Sequence, residues 1–256
     1  MRRLVQFFKI VYDIYAILLF IAMMLVVFPF VVLASFWGRV RGGNVVFIIL
    51  RLWSIAWFTC IGIRHRNIYT YRPDKKKQYI FVANHISYLD AAMLVHTFRQ
   101  PFRPLGKAEM KSIPVFGYIY RICVVIVQRD NAESRARSVR QLKAFLGHGI
   151  SILVYPEGTF NETGRPLKEF YDGAFRVAIE TQTPVLPVLF LDTYARMPHH
   201  HLLSLNPGRS RAVFLDPISV DGLTVKDVIM LKEKVSRIMS EQLIEHEASW
   251  IGHPNE

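Results

Sequence analysis

The chain has 256 residues, 52% of them hydrophobic, and a formal net charge of +12 from 32 Lys and Arg against 20 Asp and Glu. That length accommodates one catalytic domain with an apolar appendage, and its two cysteines, Cys60 and Cys123, are too few for a disulfide framework, so a reducing compartment fits. With no zinc-ligand spacing, recognition motif or basic repeat to suit nucleic acid, the basic excess beside long apolar stretches points to anionic lipid head groups or a phosphorylated substrate.

Residues 14–37 carry no charge and exceed the roughly 20 residues that cross a bilayer. They are also longer than the apolar core of a cleaved signal peptide, about 7–15 residues. After Gly38-Arg39-Val40-Arg41-Gly42-Gly43 comes a second apolar stretch, 45–63, interrupted by Arg51, which would be costly at the bilayer centre. Basic residues flank every end: Arg2, Arg3 and Lys9, then Arg39 and Arg41, then Arg64 and Arg66. The positive-inside rule disfavours placing only the middle pair outside. Residues 1–66 are therefore expected to form a helical hairpin that dips into, or lies along, the cytoplasmic leaflet of the cell (inner) membrane, with two full spans, or a buried helix pair in a soluble core, as the alternatives. Both cysteines are expected to pack in the core.

Residues 67–256 read as an α/β domain. After the polar turn at Arg72-Pro73-Asp74, strands are expected at 79–83, 102–105, 123–127, 150–155, 185–191 and 212–215, and helices at 89–99, 132–146, 173–181 and 225–247. The alternation predicts a mixed sheet flanked by helices. Pro184 and Pro187 place the fifth strand at an edge, a bulge or a pocket wall.

The run Asn84-His85-Ile86-Ser87-Tyr88-Leu89-Asp90 puts a histidine and a carboxylate just after the first of these strands. A neutral imidazole is a good general base near pH 7, and a carboxylate can hold its tautomer and stabilise the imidazolium. On one continuous helix the two residues would lie about 140° past a full turn and diverge. The pair works only with His85 at the strand end or helix cap and Asp90 in the first helical turns. A second motif, Pro156-Glu157-Gly158-Thr159, forms a tight turn at another strand end, where α/β proteins place their chemistry. Met197-Pro198-His199-His200-His201 reads as a solvated loop, because consecutive histidines cannot all point one way. Arg135, Arg137, Arg140 and Lys143 spread charge around a helix and read as a solvated or membrane-facing surface.

Taken together, and in this order, the segments between residues 79 and 191 resemble the glycerophosphate and lysophosphatidic acid acyltransferase superfamily. The resemblance makes His85 and Asp90 the catalytic pair, and Glu157, Gly158 and Thr159 part of the acceptor-binding motif. Val185, Pro187 and Val188 match the family's last motif. Lys107 resembles a phosphate-side lysine, and Arg129 matches the arginine of a further strand motif in which Cys123 stands where glycine is frequent. Members that use lysophosphatidic acid usually carry arginine after Pro-Glu-Gly-Thr; here Phe160 stands there, with Arg165, Lys168 and Arg129 as other sources of charge.

The resemblance implies transfer of an acyl group from a thioester, acyl-CoA or acyl carrier protein, to the hydroxyl of a membrane-resident lysophospholipid. His85 would take the hydroxyl proton and Asp90 would orient His85, with no protein nucleophile, cofactor or metal. Backbone N–H groups, with the turn at Gly158 as one source, would form an oxyanion hole, and Glu157 would bind an acceptor hydroxyl or fix the turn. Other acceptors are glycerol 3-phosphate or a lyso amino-acid lipid. A hydrolase using Ser87 or Ser151 lacks a Gly-x-Ser-x-Gly elbow, and a non-catalytic scaffold would not require His85 and Asp90.

Overall fold

A computed structural model describes residues 2–128, 130–200 and 204–252. The hairpin is formed by α1 (Arg2–Ser35) and α2 (Gly43–Cys60), joined through a π-helical turn, Gly38–Gly42. The helices run antiparallel: Tyr12 Oη donates to Ile61 O, Trp57 Nε1 donates to Ala16 O, and Phe20 lies edge-on to Trp53. Gly42 is required at the turn, because a Cβ there would collide with the carbonyl oxygen of Ala34.

The two helices have different neighbours. α1 is the outer one and leaves Phe7, Phe8, Leu18, Val26 and Leu33 exposed, with Phe36 and Trp37 at the turn. α2 lies between α1 and the α/β domain, burying Val46, Phe47, Leu50, Trp53 and Trp57. Arg51 lies close enough to Arg99, Tyr69 and His96 of that domain to interact electrostatically with them, and burial lowers its guanidinium.

The sheet contains β1 (Ile63–Tyr69), β2 (Ile80–Ala83), β3 (Phe102–Lys107), β4 (Val125–Val127), β5 (Ser151–Val154), β6 (Val185–Phe190) and β7 (Gly208–Phe214). Their order is β1-β7-β6-β2-β5-β3-β4, parallel from β6 to β4, with β7 antiparallel to β6 and β1 parallel to β7. The sheet is thus mixed and flanked by helices, as expected. α2 and α3 (Asp90–Thr97) cover one face. α4 (Phe116–Cys123) follows a short 3-10 segment, Ala108–Ser112, and packs on the same side. The other face is covered by α5 (Ala132–Gly147), α6 (Gly173–Glu180) and α8 (Val228–Glu245); α7 is a single turn, Thr193–Arg196. β2 shows why both faces are apolar: Phe81 and Ala83 enter one core, Ile80 and Val82 the other.

The structure departs from the sequence reading in several places. β1 takes in residues assigned to the end of the hairpin, and the expected boundary between residues 66 and 67 falls inside it. Its alternation was masked by polar residues on the packed side: Asn67 donates to Thr97 O at 2.9 Å and pairs with His65 at 2.6 Å. The strand expected at 123–127 begins only at Val125, because residues 116–123 form α4. Cys123 is buried, which pushes its thiol up to about 12, whereas Cys60 is exposed rather than packed in the core. Pro187 lies in an interior strand opposite a bulge. Between the Val185–Ile218 bridge and the Val188–Phe214 pair, residues 215–217 face only 186 and 187, so the missing N–H falls where the partner strand steps away.

Candidate active site

The carboxyl ends of β2, β5, β3 and β4 share one edge of the sheet, and the sequence motifs converge there. Beyond β2, Asn84 acts as a surrogate strand residue: its side-chain amide donates to Phe190 O at 2.9 Å and accepts from Phe190 N at 2.8 Å. This splices the end of β2 to β6 and fixes the point at which the chain leaves the sheet. His85 follows immediately. Asp90 is the first residue of α3, where a carboxylate also favours the helix dipole.

His85 Nδ1 lies 2.8 Å from Asp90 Oδ2. The same oxygen accepts from the backbone N–H groups of Ile86 at 2.8 Å and Ser87 at 3.0 Å. Asp90 is fully buried, with all three donors on Oδ2 and no hydrogen-bond partner for Oδ1 among the described residues. A carboxylate only accepts, so Nδ1 carries the proton and the Nε2 lone pair is left open, without a hydrogen-bond partner among the described residues. The His85 side chain is 24% exposed. The requirement set by the spacing is met: the histidine sits past the strand, the aspartate in the first helical turn.

Glu157 anchors this loop. It is 2% exposed, and its two oxygens accept from His85 N and Lys168 N, each at 2.9 Å. Of the two roles expected for Glu157, the geometry supports fixing the turn; its carboxylate is not presented to a ligand. Burial pushes its carboxyl up to about 7 against the two N–H donors, which pull it down. Asn161 N donates to His85 O at 2.8 Å, so both backbone ends of His85 are held by the 155–168 segment. Gly158 adopts φ +77°, and its N–H is taken by Tyr155 O at 3.0 Å. The turn glycine is therefore needed for its backbone shape, and its N–H does not supply the oxyanion donor expected of it. The exposed Thr159 accepts from Lys168 Nζ at 2.7 Å.

Aromatic rings enclose the imidazole. Tyr155 stacks on His85 with centroids 4.2 Å apart, and Phe160 approaches the ring at 4.4 Å. Phe160 also meets Tyr88 at 4.7 Å and His199 at 5.8 Å. His199 is therefore packed and 9% exposed, against the expectation of a solvated run, whereas His200 is exposed as expected; His201 lies outside the described residues. Lys107 ends β3, two strands from β2 and thus about 10 Å away at usual strand spacing. Arg129 lies outside the described residues.

The serines proposed for a hydrolase are committed elsewhere. Ser87 Oγ donates to Met197 O, and Ser151 Oγ accepts from Tyr79 N and Gln100 Nε2; both residues are buried. Sequence reasoning missed Asn84, Asn161 and Tyr155 as the frame of the site. Their position beside the two motifs was the only available signal, since hydrogen bonds across more than 70 residues leave no local pattern.

The site is thus an oriented imidazole with one open nitrogen, at the carboxyl edge of a mixed sheet with a helical hairpin docked on one face. Residues 63–191, just over half of the chain, match the Acyltransferase family model, and the chain belongs to that family. An uncharacterised acyltransferase of Schizosaccharomyces pombe is 29% identical over 67% of this chain and 62% of its own length. The mouse 1-acyl-sn-glycerol-3-phosphate acyltransferase alpha is 29% identical over 78% of this chain and 71% of its own. The fold is that of the crystal structure of PlsC, a 1-acyl-sn-glycerophosphate acyltransferase of Thermotoga maritima, with a TM-score of 0.76 at 22% identity, covering 98% of this chain and 99% of that one.

Proposed function

We propose that this acyltransferase moves a fatty acyl group from an acyl thioester to the free hydroxyl of lysophosphatidic acid, giving phosphatidic acid. The observation that carries the reading is the His85–Asp90 pair, 2.8 Å apart with Nε2 open. His85 Nε2 takes the hydroxyl proton as the oxygen attacks the thioester carbonyl. Asp90 holds the imidazole in the tautomer required and stabilises the imidazolium. The tetrahedral intermediate collapses with cleavage of the C–S bond, and the imidazolium returns its proton to the departing thiolate. The acceptor is the nucleophile, so no acyl-enzyme and no cofactor enter the scheme. Relatives bearing the name 1-acyl-sn-glycerol-3-phosphate acyltransferase support this choice of acceptor.

Lys107, and Arg129 in the motif that follows, are proposed to bind anionic groups of the substrates. The donor is acyl-CoA or acyl carrier protein, both anionic and suited to a chain of net charge +12. We place the hairpin in the cytoplasmic leaflet of the inner membrane, without a full crossing. The exposed apolar face of α1 supports insertion, and the packing of α2 against the α/β domain opposes crossing. A lysolipid then reaches His85 without its acyl chain entering water.

Phe160 favours a second reading in one respect. An aromatic ring 4.4 Å from the His85 ring, where relatives that use lysophosphatidic acid usually carry arginine, suits a less charged acceptor. The test is transfer from a labelled acyl thioester by detergent-solubilised protein offered lysophosphatidic acid, glycerol 3-phosphate and an uncharged lysolipid in parallel. Turnover with lysophosphatidic acid is the expected result; turnover with the uncharged lysolipid alone would shift the assignment to the second reading.

A further inference from the structure

Lys168 is half-buried, and its two ends do different work. Its backbone N–H satisfies Glu157 Oε2 at 2.9 Å, while its side chain turns to the rim of the site. There Nζ donates to Thr159 Oγ1 at 2.7 Å and contacts Phe160 O at 3.3 Å. Among the described residues no carboxylate lies within ion-pair distance of Nζ. An ammonium has three donors, and these two acceptors leave one unused. A charge held by two hydrogen bonds, with Glu157 acting on it only at longer range and no carboxylate in contact, is prepared for an anion. The residue whose carbonyl it touches, Phe160, places its ring 4.4 Å from the imidazole of His85.

We propose that Lys168 is a substrate-binding residue: its Nζ, held on Thr159, binds the phosphate of the acceptor while Phe160 closes the apolar side of the same site. The inference rests on the acyl-transfer reading and deepens it by assigning the phosphate's partner. A lysophosphatidic acid has only a few bonds between its free hydroxyl and its phosphorus. The group reacting at His85 and the group held at the Thr159–Phe160 rim therefore belong to one small head. The ring of Phe160 supplies no charge, and Lys168 brings a cation to the same turn from eight residues further along the chain. Its ammonium is a point charge without the bidentate fork of a guanidinium, so it fixes the phosphate's position more firmly than its orientation.

The rival role for Lys168 is structural, a tether for the Pro156–Thr159 turn, and kinetics separate the two. Lys168→Met keeps the backbone N–H on Glu157 and removes only the ammonium. The proposal predicts a rise of about 10- to 100-fold in KM for lysophosphatidic acid, the range for one charged hydrogen bond. The KM for the acyl thioester is unchanged, and Lys168→Arg recovers most of the loss. Thr159→Val, which frees Nζ without removing it, gives a smaller rise for the same substrate. Equal losses toward lysophosphatidic acid and an uncharged lysolipid would assign Lys168 to the tether and overturn the proposal. So would a wild-type KM for lysophosphatidic acid in Lys168→Met. Wild-type protein inactive toward every acceptor would defeat the acyl-transfer reading itself, a failure distinct from either of these.

Discussion

At the level of single residues, His85 is positioned by groups far from it in sequence. Asp90 fixes Nδ1, Glu157 holds the backbone N–H, and Asn161 donates to the carbonyl. Asp90→Asn keeps an acceptor for the N–H groups of Ile86 and Ser87 but removes the charge that favours the imidazolium. A loss of about 100- to 10,000-fold in kcat is expected with a nearly unchanged melting temperature; activity within a few-fold of wild type would remove Asp90 from the mechanism. Glu157→Gln is different in kind, since an amide N–H must face one of two backbone N–H groups. It should cost about 1–3 kcal/mol of stability, read as a shift in the denaturation midpoint, and lower turnover because the His85 backbone moves. The His85–Asp90 pairing was legible because both residues lie within one short motif. The anchoring role of Glu157 was not, because the chain between His85 and Glu157 gives no sign that the two meet.

At the level of elements, Arg103 on β3 joins the hairpin to the sheet. It is fully buried and has no carboxylate partner among the described residues; its guanidinium donates to the carbonyls of Phe102, Arg39 and Val40 and to Asn44 Oδ1. It also lies over the rings of Phe47 and Phe145 at 5.4 and 5.2 Å. Gly43 leaves room for it, since a Cβ there would meet Nη2 at 2.5 Å. Arg103→Met strands several buried carbonyls and should cost on the order of 3 kcal/mol, with faster proteolysis at residues 36–43; an unshifted denaturation midpoint would show the link to be dispensable. A second junction is acid-sensitive. His65 and His96 meet at 4.5 Å between β1 and α3, and His96 stacks on Phe58 of α2. Burial pushes them down to about 4 and about 3 from 6.5. Between those values and 6.5 the unfolded chain binds more protons, so their stabilisation is complete above about pH 6.5 and is lost as pH falls. Glu157, raised to about 7 from 4.5, opposes this, since its contribution fades as pH rises through that window. Two histidines against one carboxyl predict a falling melting temperature from pH 6.5 to 4.5. His96→Phe, which keeps the ring packing, should flatten that fall; an unaltered slope would locate the acid sensitivity elsewhere. β1 and this junction were illegible in the sequence because polar residues interrupt the strand's alternation, whereas β2, β5 and β6 were read from apolar runs buried on both faces.

At the level of the whole molecule, the hairpin and the site belong to one machine. α1 offers the exposed apolar face, α2 binds it to the α/β domain, and Arg103 fixes the turn to the amino-terminal half of β3. The hairpin was foreseeable from charge-free length; its layering, with α2 inside and α1 outside, depends on tertiary contacts that no apolar run encodes. Replacing Phe7, Leu18 and Val26 together by Ser should reduce flotation with anionic vesicles while the detergent-solubilised protein keeps its turnover of soluble acyl thioester, and undiminished flotation would place the membrane contact elsewhere. The most direct measurement is acyl transfer to lysophosphatidic acid by wild-type and His85→Ala protein, compared at equal melting temperature and equal vesicle binding. General-base catalysis by His85 predicts that the variant stays folded and membrane-bound while kcat falls by about 100-fold or more. Retained turnover in a folded His85→Ala variant would refute it.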